Sequence, residues 1–176
     1  MNKVILINVP CHNILDDKLE PPMGLLYIQS FLLDEGVDCE IYDMCIERNT
    51  IDNIPESDIY GFTTYTNNFS SCCSIAKSLK ERYPRSTTVA GGYHVSALNY
   101  DSYKNFDITV IGEGEKAMRS LSDPDLLGFY KREKLMVGDC IDELDDLPFP
   151  RYDKDVKRRH KKMKNELLKL HSWSKN

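Results

Sequence analysis

The sequence predicts an α/β domain: a doubly wound, five-stranded parallel sheet wrapped by helices, with a small hairpin appendage and a C-terminal helix. Three observations predict it. Short apolar runs alternate with amphipathic stretches along the first 121 residues, the pattern of repeated right-handed β-α-β crossovers. The first run, residues 3–9 (KVILINV), is apolar almost throughout, as befits a strand buried on both faces of a parallel sheet. The runs end at Pro10, at Gly91 and Gly92, and at Gly112, residues that stop or sharply turn a chain.

The elements follow in order. After the first strand comes a polar loop to Glu20, and Pro21 and Pro22 stand where a helix tolerates proline. Leu25, Ile28, Leu32 and Leu33 recur at helical spacing, and Gly36 closes that helix. Residues 39–42 form the second strand and residues 58–64 (DIYGFTT) the third. Asn67 or Ser70 caps the next helix, which turns Ile75, Ala76 and Leu79 inward and stops at Pro84. Residues 87–90 are the fourth strand, 96–104 a weaker helix or turn, 106–111 the fifth strand and 113–121 a short helix. Residues 127–130 and 135–137 flank the charged turn 131–134, which reads as a hairpin. The expected organisation is an α/β domain over residues 1–138, including the hairpin 127–137, an acidic proline-bearing strap over 139–153, and a basic amphipathic helix over 154–176.

Composition narrows the function classes. A chain of 176 residues suits one domain with its own core, and 41 % hydrophobic residues is above the level of a disordered chain. The net charge of -5 gives no general attraction to nucleic acid. The charge is uneven: residues 154–176 carry nine basic against two acidic side chains, and the rest carries 14 against 26. Such a tail folds back on the acidic body or seeks an acidic partner. No recognition module of nucleic acid accompanies it. No run approaches the roughly 20 apolar residues of a membrane span, and residues 4–7 are too short for a secretory leader. The six cysteines lack CxxC spacing. The expectation is a cytoplasmic protein with reduced thiols, and no iron–sulfur motif.

In an open parallel sheet, ligands bind outside the carboxyl ends of the strands, near the switch in strand order. Four segments converge there: residues 10–20, 63–67, 91–94 and 112–115. Gly91 and Gly92 fit either a turn needing positive φ or the close approach of a bulky ligand. Gly112, Glu113, Gly114 and Glu115 open a helix whose positive end alone accounts for the two acids. They form neither a GxGxxG fingerprint nor a Walker motif, and two acids would repel a phosphate. Thr63, Thr64, Tyr65 and Asn67 either hold a ligand by hydrogen bonds or cap the next helix. His12 and His94 fall at the same end and could join Cys11 around a metal, although no HxH or CxxC spacing marks a structural zinc site. No nucleophile–base–orienter set stands out.

Residues 20–27 (EPPMGLLY), 58–61 (DIYG), 89–94 (VAGGYH) and 110–115 (VIGEGE) stand in the order and spacing of the amino-terminal domain of cobalamin-binding radical SAM enzymes. Residues 141–151 (IDELDDLPFPR) resemble the segment that joins that domain to the radical SAM barrel. The resemblance runs from about residue 3 to residue 152. It implies a Rossmann-like, flavodoxin-like B12-binding fold, with cobalamin over the strand ends and its nucleotide tail descending toward the sheet. The implied cofactor-binding set is Pro10, Cys11, His12, Pro22, Gly24, Thr63, Thr64, Tyr65, Asn67, Gly91, Gly92, Tyr93, His94, Gly112, Glu113, Gly114 and Glu115.

The departures from the family shape the rest of the expectation. The family's CxxxCxxC motif and barrel do not follow the strap. The chain then reads as an excised or stand-alone corrinoid-binding domain without catalysis of its own, holding cobalamin for a radical SAM methyltransferase-type partner. The alternative is a cofactor-free scaffold that docks a separate radical SAM subunit; a homo-oligomer is also open. Methionine-synthase-like cobalamin domains supply a lower cobalt ligand from a DxHxxG motif. Here the matching residues 10–15 read PCHNIL. His12 occupies the histidine column, which makes it the candidate cobalt ligand, but the Asp that would orient its imidazole is missing. Many radical SAM relatives hold the cofactor without a histidine, so both states stay open. Residues 119–126 are shortened relative to the family. A response-regulator-like switch would want an acid cluster where this chain has Asn8, Val9 and Pro10, and a lysine where it has Gly112.

Overall fold

The computed structural model describes residues 1–11, 21–46, 49–98 and 104–152. Its sheet has six parallel strands: β1 (Val4–Asn8), β2 (Cys39–Asp43), β3 (Ile59–Thr63), β4 (Thr87–Gly91), β5 (Ile108–Gly112) and β6 (Leu135–Gly138). Their order is β2-β1-β3-β4-β5-β6. The chain leaves β1 for one edge and then crosses back to β3, so the switch point lies between β1 and β3.

Five α-helices are present among the described residues: α1 (Met23–Asp34), α2 (Phe69–Arg82), α3 (Tyr93–Ala97), α4 (Glu115–Leu121) and α5 (Pro124–Glu133). They cover both faces. Val4 and Leu6 of β1 join a core with Leu25 and Leu32 of α1, Met118 of α4 and Leu127 of α5. Ile5 and Ile7 join the opposite core with Ile75 and Leu79 of α2 and Val95 of α3. Alternation along a strand produces this division, and burial on both faces explains the unbroken apolar run. Gly36 takes φ 75° and ends α1 as expected: its amide donates to the Leu33 carbonyl, and Val37 donates to that of Leu32.

Two sequence expectations are corrected. The sheet has six strands rather than five, and the hairpin over 127–137 does not exist. Its first arm lies within α5, and its second is β6, paired in parallel with β5. The physical reason is local. Asp123 caps α5 by accepting a hydrogen bond from the Asp125 amide at 2.9 Å, and Pro124 occupies the first helical position. Lys134, at φ 61°, ends the helix and releases the chain into β6. A short helix, α3, starts directly after Gly92 and takes in only the first two residues of the weaker helix or turn expected over 96–104. Residues 99–103, the 12–20 loop with His12, and the tail helix expected over 154–176 lie outside the described residues.

The strap returns to α1. The Arg151 amide donates to Ser30 Oγ at 2.9 Å, the Arg151 guanidinium pairs with Asp34, and Tyr152 places its hydroxyl 3.5 Å from Met23 Sδ. No described helix is long and apolar enough to cross a membrane.

Candidate functional site

A cavity of about 960 Å³ opens at the carboxyl ends of β1, β3, β4 and β5 and continues between the sheet and helices α1 and α4. The strand register sorts its wall into levels. Leu6, Gly61 and Val89 share one rank at the middle of their strands. Two residues on, and so on the same face about 7 Å nearer the mouth, stand Asn8, Thr63 and Gly91. The inner level is closed by Leu25 and Ile28 of α1 and Met118 of α4. Gly61 leaves room for two neighbouring side chains: a Cβ there would lie 2.8 Å from Leu6 Cδ2 and 3.4 Å from Met118 Cε. A Cβ on Gly114 would lie 2.6 Å from Ile28 Cδ1, so this glycine lets α1 and α4 approach.

The mouth is built from backbone and aromatic rings. Gly92 has φ 98°, and a Cβ there would fall 2.9 Å from both the amide nitrogen and the carbonyl oxygen of Thr64. Only glycine suits that position. Tyr65 and Tyr93 flank the opening with ring centroids 6.0 Å apart, Tyr93 being 80 % exposed. Gly112 (φ 83°) and Glu113 form the β5 side, and the Gly138 backbone packs directly on that of Glu113.

Glu113 is exposed, whereas Glu115 is buried on the cavity wall. Burial pushes the Glu115 carboxyl above the usual carboxylate range, and the negative charge of Glu113 adds to this. The amides of Glu115 itself and of Gly114 oppose the shift.

The structure brings most of the expected residues onto one wall: Cys11, Pro22, Gly24, Thr63, Tyr65, Asn67, Gly91, Gly92, Tyr93, Gly112, Glu113, Gly114 and Glu115. It places Pro10, Thr64 and His94 off that wall. Thr64 is buried and ties β3 to β4. His94 is buried behind the mouth, 4.1 Å from the Phe69 ring centroid, with Nδ1 3.2 Å from Thr66 Oγ1. Its Nε2 has no hydrogen-bond partner among the described residues. No group of three metal-ligating side chains is assembled among the described residues. Asn8 donates from Nδ2 to Asp43 at 2.9 Å and to Cys45 Sγ at 3.5 Å. The inner residues Leu6, Val89, Ile28 and Met118 were not anticipated; the one sign of them was Gly61, a glycine inside a strand.

The arrangement suits a large amphipathic ligand: backbone and hydroxyls at a wide mouth, hydrocarbon at the inner end. The family model described as B12 binding domain matches residues 17–122. The cobalamin-dependent radical SAM methyltransferase TokK of Streptomyces tokunonensis is 38 % identical over 73 residues, which are 40 % of this chain and 11 % of that protein. The 2-(S-pantetheinyl)-carbapenam-3-carboxylate methyltransferase of Streptantibioticus cattleyicolor is 37 % identical over 71 residues, 39 % of this chain and 10 % of that protein. The chain thus spans about a tenth of the curated relatives it matches. The cobalamin-dependent S-adenosylmethionine radical enzyme OxsB, solved with aqua-cobalamin and S-adenosylmethionine bound, shares the fold. Its TM-score is 0.68 at 17 % identity, over 93 % of this chain and 25 % of that one.

Proposed function

The chain belongs to the B12 binding domain family, and on that premise we propose that it holds a corrinoid at the carboxyl end of its sheet, in the service of a radical SAM methyltransferase-type partner. The observation that carries this reading is the cavity itself, whose glycine-lined mouth leads to a hydrocarbon interior. Gly91, Gly92, Gly112 and Gly114 offer backbone without side chains to a flat macrocycle. Thr63, Tyr65 and Asn67 offer hydroxyl and amide groups to its carboxamides and phosphate. The inner end takes the nucleotide tail. When bound, a corrinoid supplies a cobalt centre that carries a methyl group; the residues of this chain bind and orient it and keep water from its tail.

The domain organisation follows the same reading. Residues 1–138 hold the cofactor, 139–153 are a linker-like strap, and the basic sequence of 154–176 is charged to meet an acidic partner. Tyr152 against Met23, a cavity-wall residue, supports a strap that ends close to the cavity. The six cysteines, none in CxxC spacing, support a reducing, cytoplasmic setting. A second reading, a cofactor-free scaffold, draws on Leu144 and Phe149 of the strap, 76 % and 89 % exposed, which offer apolar contacts to a partner in either case. Titration with hydroxocobalamin and methylcobalamin separates the two: saturable binding supports the corrinoid and its absence the scaffold. A cobalt spectrum altered by His12→Ala would assign the lower ligand to that residue; an unchanged one would mean a cofactor held without histidine.

A further inference from the structure

Asn8 ends β1 opposite Asp43 at the end of β2, and the two side chains fix one another. Asn8 Nδ2 donates to Asp43 Oδ1 at 2.9 Å and to Cys45 Sγ at 3.5 Å, so both amide hydrogens are directed toward the end of β2. The same Asp43 oxygen accepts the Cys45 amide at 3.0 Å, and Asp43 is buried. An ionised carboxylate only accepts. Turning the Asn8 amide over would set its oxygen against that of Asp43, so its orientation is determined. The main chain holds the pair as well: the Asn8 carbonyl accepts the Met44 amide at 3.0 Å, and the Asp43 carbonyl accepts Asn49 Nδ2 at 2.8 Å.

Asn8 Oδ1 is left over. Nothing among the described residues donates to it, and it is not one of the buried polar atoms that lack a partner. It therefore reaches open space, and Asn8 lines the cavity. This oxygen is an acceptor held in one place, with the negative charge of Asp43 behind it. No Lys or Arg stands on the wall among the described residues, whereas Glu113 and Glu115 do. A ligand N–H gains a hydrogen bond at Asn8; a carboxylate meets lone pairs and a like charge with no cation to offset them. We propose that Asn8, oriented by Asp43, reads the amidation of the ligand: it accepts an N–H from a carboxamide arm and disfavours the corresponding carboxylate. This rests on the corrinoid reading above and adds a specificity residue to it. In a cobalamin the propionamide arms project from the face that bears the nucleotide tail, the face which that reading turns toward the sheet.

The test compares hydroxocobalamin with the three monocarboxylates made from it by hydrolysing a single primary propionamide. It uses the purified full chain at neutral pH, where such an acid is ionised, and reads visible absorbance and heat. At least one monocarboxylate is expected to bind roughly tenfold more weakly than hydroxocobalamin. Asn8→Ala, checked for folding by circular dichroism, brings that ratio down to about one. A merely structural loss would weaken every ligand alike and leave the ratio unmoved. Asp43→Asn still offers an oxygen to both donors and keeps the parent ratio; Asp43→Leu, which offers none, loses it. Equal affinities of the parent chain for all four ligands, a comparison that needs no variant to fold, would overturn the assignment and leave the corrinoid reading standing. So would a ratio that survives Asn8→Ala or Asp43→Leu. Failure of all four to bind would remove both.

Discussion

Thr64 donates twice to the single carbonyl of Gly91, from its amide and from its hydroxyl, each at 2.8 Å. The Thr64 carbonyl in turn accepts the His94 amide at 3.1 Å. These bonds fasten the ends of β3 and β4 together just where the chain must turn through Gly92 to form the mouth. Thr63, one residue earlier, points to the other face and lines the cavity.

The two neighbouring threonines should therefore respond differently. Thr64→Val removes one hydrogen bond and should cost about 1 kcal/mol of stability, which in a domain of this size lowers Tm by about 2–4 °C. Thr63→Val should leave Tm nearly unchanged and weaken hydroxocobalamin binding by roughly threefold to tenfold. Thermal unfolding and titration of both variants check this; a Thr63→Val loss that appears in Tm instead of affinity would count against the assignment.

The two glycines of the mouth also separate. A Cβ on Gly91 would meet nothing closer than 3.9 Å, whereas one on Gly92 would strike the Thr64 backbone at positive φ. Gly91→Phe should fold and block the cavity. Gly92→Ala should lose about 2–3 kcal/mol, read as a lower urea midpoint. Equal stability of the two would contradict the backbone geometry at the mouth.

Glu115 makes a pH prediction. Its folded carboxyl titrates above its usual value of 4.5, so the folded state binds this proton more tightly than the unfolded state. Its contribution to stability is greatest below 4.5 and falls as pH rises through the folded value. Glu115→Gln should flatten this fall and be more stable than the parent above that window. Urea midpoints measured across the acid range decide it, and a variant less stable than the parent at neutral pH is the contrary result.

Much of the fold was legible because burial on both faces leaves a plain mark. Residues 4–7 read as an interior strand, and Gly36, Gly91 and Gly112 read as terminators because their positions need little or no side chain. The sixth strand was hidden by its neighbour. Leu127 and Tyr130 are spaced for a helix, but with the charged turn after them they passed for a hairpin arm; the Asp123–Pro124 cap was the overlooked signal. At the site, a row of polar residues along a strand end was legible as a group but not residue by residue, since strand alternation sends Thr63 and Thr64 to opposite faces. The inner wall was not legible at all: an apolar residue facing a cavity has the same sequence signature as one packed in the core.

The cap that replaces the hairpin is itself testable. Asp123→Ala removes the acceptor for the Asp125 amide and should cost about 1 kcal/mol, with a matching loss of helical circular dichroism. An unchanged stability would put α5 in doubt.

The central claim is tested most directly by titrating the purified chain with hydroxocobalamin and following visible absorbance and heat together. Saturable one-to-one binding, lost in Gly91→Phe while that variant remains folded, is the predicted result. Absence of saturable binding at ~100 μM ligand, a concentration that detects interactions as weak as about −5.5 kcal/mol, would contradict it.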